Sequence, residues 1–245
     1  MTDRNAQAQE LRRWEAMLAQ SAEKWNAKQE QSIRDMIARL KQPRPSTLSI
    51  IGVLRQENAL AVHFTYIGKG ADKYKYPEDL QHAASHPREY LCASTIKPGD
   101  TPLTHSVGNA GLILEPFDDF SVAKVSVGDG GTWNSEHEYP YLQEMHDSIK
   151  KRVEASYNQW TFESSKVRGL FVWGDWSVEG VTLIPSPLEH EAGCNMEMPE
   201  IVRLTMSDLA QDFPKRRVFT IDGLGFAELH PNGTRTVVHH NNIYP

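Results

Sequence analysis

Cysteine is scarce in this chain of 245 residues, which holds only Cys92 and Cys194. Two thiols close one bridge at most, so there is no disulfide framework of the kind that staples small secreted domains. A reducing compartment is the simpler expectation. Cys92 stands in Tyr90-Leu91-Cys92-Ala93, a run that reads as a buried strand, where a thiol behaves as a small core hydrophobe. Long apolar runs are missing as well. Nothing approaches the roughly 18 apolar residues needed to span a bilayer, so no membrane partner is expected. Met1 to Gln7 lack the apolar stretch of a signal peptide. The expected location is cytoplasmic, with export by a route without a cleaved signal left open.

Positive charge is in short supply too. Lys and Arg number 26 against 32 Asp and Glu, for a net charge of -6. Broad electrostatic capture of DNA or RNA needs a basic footprint, so nucleic acid is not an expected partner. A dense basic cluster beyond the first forty residues, Lys215-Arg216-Arg217, reads as a solvated strand start.

What the chain does have is enough apolar mass for a core. Apolar residues make up 39% and charged residues 24%, with six Trp, eight Tyr and eight Phe. Aromatic side chains bury the most area each, so this composition supports a packed interior rather than disorder.

Residues 5–41 are rich in helix formers, and neither Gly nor Pro occurs before Pro43. They read as one long helix, or two in line. Leu11, Trp14, Leu18, Ser21 and Trp25 recur in steps of three and four, an amphipathic stripe. Ile33, Met36, Ile37 and Leu40 form a second, displaced stripe. Pro43-Arg44-Pro45 stops the helix. This arm either packs on its own chain or docks on a partner, or on a second copy, through residues 5–41.

From Thr47 the pattern turns β-like. Thr47 to Leu54 and Leu60 to Ile67 read as a hairpin across Gln56-Glu57-Asn58. A short helix is expected after Pro77, then strands at Tyr90–Ile96, Ala110–Leu114 and Phe120–Val127. Pro140 suits the first turn of a helix reaching about Tyr157, with Leu142, Met145, Ile149, Val153 and Ser156 inward. Arg168–Trp173 and Val178–Ile184 read as a second hairpin. Ile201–Met206 reads as a strand, with Ser207 capping a short helix through Phe213. Val218–Ile221, Leu224–Leu229 and Thr234–His239 form a meander across Asp222-Gly223 and Pro231-Asn232-Gly233. The fold class is α+β: a mostly antiparallel sheet with two or three packed helices, preceded by a long N-terminal amphipathic helical arm. The arm is residues 1–42 and the α+β domain 46–245.

Several groups of residues could carry chemistry. Gly128-Asp129-Gly130-Gly131-Thr132 precedes a helix but lacks a Walker or dinucleotide spacing, so a surface loop is expected. His190 and Cys194 lie four apart amid prolines and a glycine, which favours a loop over a metal site, and no metal is expected. Trp160, Phe162, Phe171, Trp173 and Trp176 cluster. Core packing accounts for most of them, while Trp176, at a hairpin tip, is a candidate partner-binding surface.

One order is more specific. Arg55 is read at the end of an early strand, Ser94-Thr95 within a later strand, and Glu136 and Glu138 as an E-x-E pair. An arginine, a Ser-Thr strand and an E-x-E pair in that order resemble the arrangement of arginine-type ADP-ribosyltransferase toxins. The resemblance implies NAD as co-substrate, with Arg55 on its diphosphate and Ser94 bracing the site. Glu138 would stabilise the charge that develops as nicotinamide leaves, and Glu136 would orient the acceptor. The sequence departs from the family in having Ser94-Thr95-Ile96 where Ser-Thr-Ser stands, and in a helix soon after Glu138.

Two functional expectations follow. The first is a non-enzymatic binding or assembly protein that engages a protein partner through Leu11, Trp14, Leu18 and Trp25, with Trp176 as a further contact. The alternative is an NAD-consuming effector or toxin using Arg55, Ser94, Glu136 and Glu138. Whether the chain is an enzyme is not readable from its sequence.

Overall fold

The computed structural model describes residues 2–20, 25–65, 77–88, 90–100, 110–119, 121–128, 137–152, 158–172, 176–177, 180–183 and 202–245, with 2–6, 176–177, 180–183 and 202–204 given by backbone alone. The chain divides into two compact units, Met1–Pro45 and Ser46–Pro245.

The first unit is two helices, α1 (Thr2–Ala19) and α2 (Ala27–Lys41). They are folded back on each other rather than in line. Gln7 Nε2 donates to the Leu40 carbonyl at 2.7 Å, and Lys41 Nζ lies 2.8 Å from Glu15. The physical reason is a cap. Asn26 accepts from the Gln29 amide while the Gln29 side chain accepts from the Asn26 amide, and this reciprocal box starts a new helix. Trp25 therefore precedes the α2 cap and does not extend the stripe of α1. Ile33, Ile37 and Leu40 are the buried face of α2.

The second unit opens with a correction. Thr47–Gln56 is a helix, α3, and not the first strand of a hairpin. Ser46 caps it, its hydroxyl accepting from the Ser49 amide. Ile50, Ile51, Val53 and Leu54 are buried at helical spacing, so packing of one face overrides the β propensity of the run. Three more helices follow: α4 (Glu78–Ser85), α5 (Leu142–Lys150) and α6 (Met206–Asp212). Thr205 caps α6, not Ser207, through its hydroxyl and the Asp208 carboxylate.

Ten strands form the main sheet: β1 (Leu60–Thr65), β2 (Leu91–Ile96), β3 (Ala110–Pro116), β4 (Val122–Ser126), β5 (His137–Glu138), β6 (Gln159–Phe162), β7 (Ser165–Val172), β11 (Val218–Asp222), β12 (Gly225–Leu229) and β13 (Arg235–Val238). Three others, β8 (Trp176–Ser177), β9 (Gly180–Leu183) and β10 (Val202–Leu204), make a separate small sheet in the order β10-β9-β8. The main order is β13-β12-β11-β7-β3-β1-β2-β6-β4-β5. Every described pairing is antiparallel except β7 with β11. The fold is thus α+β with a mostly antiparallel sheet, and the β11-β12-β13 meander forms as its Gly-containing turns dictate.

Among the described residues the second hairpin read from the sequence does not form. β7 pairs with β3 and β11, whereas β9 pairs with β8 and β10. Both neighbours of β7 are distant in sequence, and no local signal announces such pairings. Cys92 also departs from its expected place: it lies on β2 but is exposed, receiving a hydrogen bond from Gln159 Nε2 at 3.1 Å.

One face of the sheet carries Trp160, whose Nε1 donates to Ser148 Oγ of α5 at 2.7 Å. Asn158, fully buried, ties the same helix down. It accepts from the Thr95 amide and hydroxyl and donates to the Ser148 carbonyl. Trp160, Phe162 and Phe171 are all fully buried, in keeping with their expected core role.

Candidate functional site

The strand registers settle where the Arg-Ser-Glu set falls. Ala93 pairs with Trp160 and Val125 pairs with Trp160, so these side chains share the face covered by α5. Alternation then puts Ser94 on the opposite face. Lys124 pairs with Thr161 on one side and Glu138 on the other, which places Glu138 on that same opposite face. Its carboxylate lies 3.0 Å from Lys124 Nζ.

Ser94 and Glu138 thus share a face, but β6 and β4 stand between their strands. Three inter-strand steps of roughly 4.8 Å separate them by about 14 Å. Arg55 belongs elsewhere. It sits in the last turn of α3, which packs beside α5 over the Trp160 face. Its Nη2 donates to the Tyr244 carbonyl at 3.1 Å. Among the described residues the set does not converge on one cleft. Glu136 lies outside the described residues, as do the glycine loop from Asp129 on, the His190–Cys194 pair and Trp173. Trp176 is described only as backbone, in β8.

A charged cluster that the sequence did not announce lies where α3 meets α5. Glu57, the C-cap of α3, has a side chain only 11% exposed. His146 Nδ1 lies 2.7 Å from its Oε1 and Lys150 Nζ lies 3.0 Å from the same atom. Burial alone would push the Glu57 carboxyl up, but the hydrogen bonds from Lys150 and His146 outweigh it and hold the carboxyl below the usual carboxylate range. The carboxylate fixes one imidazole nitrogen, an arrangement suited to orienting a proton-transfer group. No serine, threonine or cysteine of the described residues completes a nucleophile pair there. The three residues span 93 positions of sequence between Glu57 and Lys150 and carry no local motif. Among the described residues there is no cluster of three or more His, Cys, Asp or Glu side chains that could hold a metal.

Comparison with known proteins gives no family. No protein-family model, curated protein or solved structure matches this chain.

The helical unit remains as the other candidate. Leu11, Trp14 and Leu18 lie along α1 at positions i, i+3 and i+7 and are half-buried, as is Trp25. Trp14 Nε1 donates to Glu10 at 3.0 Å, which pins the indole against its own helix. No helix among the described residues is long and apolar enough to cross a membrane.

Proposed function

We propose that the protein is a binding or assembly protein that engages a protein partner through its helical unit, residues 1–45. The observation that carries this reading is the division of the chain, which sets two helices apart as a compact unit of their own. A two-helix hairpin of this size cannot bury both of its apolar stripes unaided. Leu11, Trp14 and Leu18, half-buried on α1, are the residues with area still to cover. Charge suggests the partner's character. Residues 1–45 carry nine Lys and Arg against six Asp and Glu in a chain whose net charge is -6, which favours an acidic protein surface.

The test is site-specific photocrosslinking from position 11 of the full chain in native extract, with sedimentation velocity for self-association. A discrete adduct, or a larger species, that disappears with Trp14→Glu supports the reading. The absence of both, or their persistence in the variant, defeats it. The NAD-consuming alternative draws no support from the placement of Arg55, Ser94 and Glu138.

A further inference from the structure

Residues 239–245 are held to the centre of the sheet by bonds that reach far along the sequence. His240 Nε2 lies 2.8 Å from the Ala59 carbonyl, a contact that requires the proton on Nε2. The Tyr244 hydroxyl accepts from the Ala61 amide at 3.1 Å and donates to the Leu114 carbonyl at 2.9 Å. Ala61 and Leu114 are register partners on β1 and β3, so the hydroxyl stands between two groups that could otherwise bond each other. Arg55 holds the Tyr244 carbonyl, and Arg217 Nη1 holds that of Asn242 at 2.8 Å.

We propose that this segment is an acid-released latch, with His240 as its trigger. The imidazole is 8% exposed and packs near the rings of Phe226 and Tyr244, with centroids 6.4 and 5.1 Å away. Its Nδ1 is buried and has no hydrogen-bond partner. A second proton must go to that atom, where no acceptor waits.

The charged groups around it give no relief. From α3 comes Arg55, a cation. Glu57 of α3 is engaged by His146 and Lys150. From β12, Glu228 is forked by Arg217, the residue preceding β11, at 3.0 and 2.6 Å. The start of β1 and the residue before it offer only Ala59, Leu60 and Ala61 here, and in the segment itself His239 is exposed while Tyr244 is a buried neutral phenol. Burial, with Arg55 adding to it, accordingly holds the His240 imidazole below its ordinary value, against the opposing effect of the Ala59 bond.

Acid therefore favours the released segment. Once Tyr244 leaves, the Ala61 amide and Leu114 carbonyl can bond directly, so the ladder has two satisfied states. Such a two-state element is what a proton can bias.

Hydrogen exchange on the full chain at pH 7.5 and 5.0, corrected for intrinsic rates, tests this. Protection of residues 239–245 is expected to fall at least about tenfold at the lower pH, a coupling of about 1.4 kcal/mol. His240→Gln keeps a donor for Ala59 but cannot titrate, and its protection is expected to persist. Equal protection of the wild-type segment at both pH values would overturn the latch, as would equal loss in His240→Gln. If that variant does not fold, NMR titration of His240 in the wild-type chain decides. A midpoint below 6.5 that coincides with loss of protection sustains the latch, and any other result ends it.

Discussion

His146 Nδ1 stands 2.7 Å from Glu57 Oε1, joining two residues 89 apart in sequence. Lys150 reaches the same carboxylate from one turn further along α5. This carboxylate, held below its ordinary range, contributes stability that is present above the unfolded value and lost as pH falls through the folded one. Denaturant midpoints measured from pH 7 to pH 3 should therefore drop on the acid side. Glu57→Gln should lower the midpoint near neutrality and flatten that drop. An unchanged acid limb in the variant would show that other carboxylates govern it.

The sheet class and the meander were legible because their signals are local. Asp222-Gly223 and Pro231-Asn232-Gly233 dictate turns, and period-two alternation dictates faces. The helix at Thr47–Gln56 is not legible because Ile50, Ile51, Val53 and Leu54 fit either a β run or one face of a helix. Only the Ser46 cap and the tertiary burial of that face decide. The exposure of Cys92 is hidden for a related reason: alternation says that neighbours face opposite ways, but not which face is covered. The Glu57 cluster and the closing segment were invisible because each depends on contacts across 89 residues or more. The Arg-Ser-Glu order shows the limit of linear spacing. Its members are correctly ordered along the chain, yet α3 puts Arg55 over one face while the pleat turns Ser94 and Glu138 to the other.

The hydroxyl of Tyr244 is a sharp test of the closing segment. Tyr244→Phe keeps the ring volume and removes the oxygen, leaving the Ala61 amide and Leu114 carbonyl without their bridge. If both groups stay unpaired the cost is about 1–3 kcal/mol. If β1 and β3 draw together and bond directly, the cost falls toward zero. Chemical denaturation gives the magnitude, and exchange at the Ala61 amide shows which of the two has happened.

Two glycines should respond in opposite directions to the same methyl group. At Gly111 a Cβ would meet the His63 carbonyl oxygen at 2.5 Å and Val62 Cγ1 at 2.7 Å. The backbone of β1 cannot swing aside, so Gly111→Ala should destabilise by about 1–3 kcal/mol. At Gly52, inside α3, a Cβ meets nothing within 4 Å. Gly52→Ala should stabilise by roughly 0.5–1 kcal/mol, through helix propensity. Thermal melts of the two variants beside the parent check both signs at once.

Arg152 and Asp100 offer the strictest measure of what holds α5 to the sheet. The guanidinium forks both carboxylate oxygens at 2.8 and 2.9 Å, and the two side chains are 4% and 5% exposed. Arg152 also donates to the carbonyls of Thr95 and Ile149, while Asp100 accepts from the Lys97 amide. Every charge here is buried and matched, so removing one partner strands the other. Arg152→Ala should cost about 3–5 kcal/mol, and Asp100→Ala a similar amount. The double variant strands neither charge and should cost much less than the two combined. Urea denaturation of all four proteins closes the cycle. Simple additivity would mean that the pair does not act as a unit.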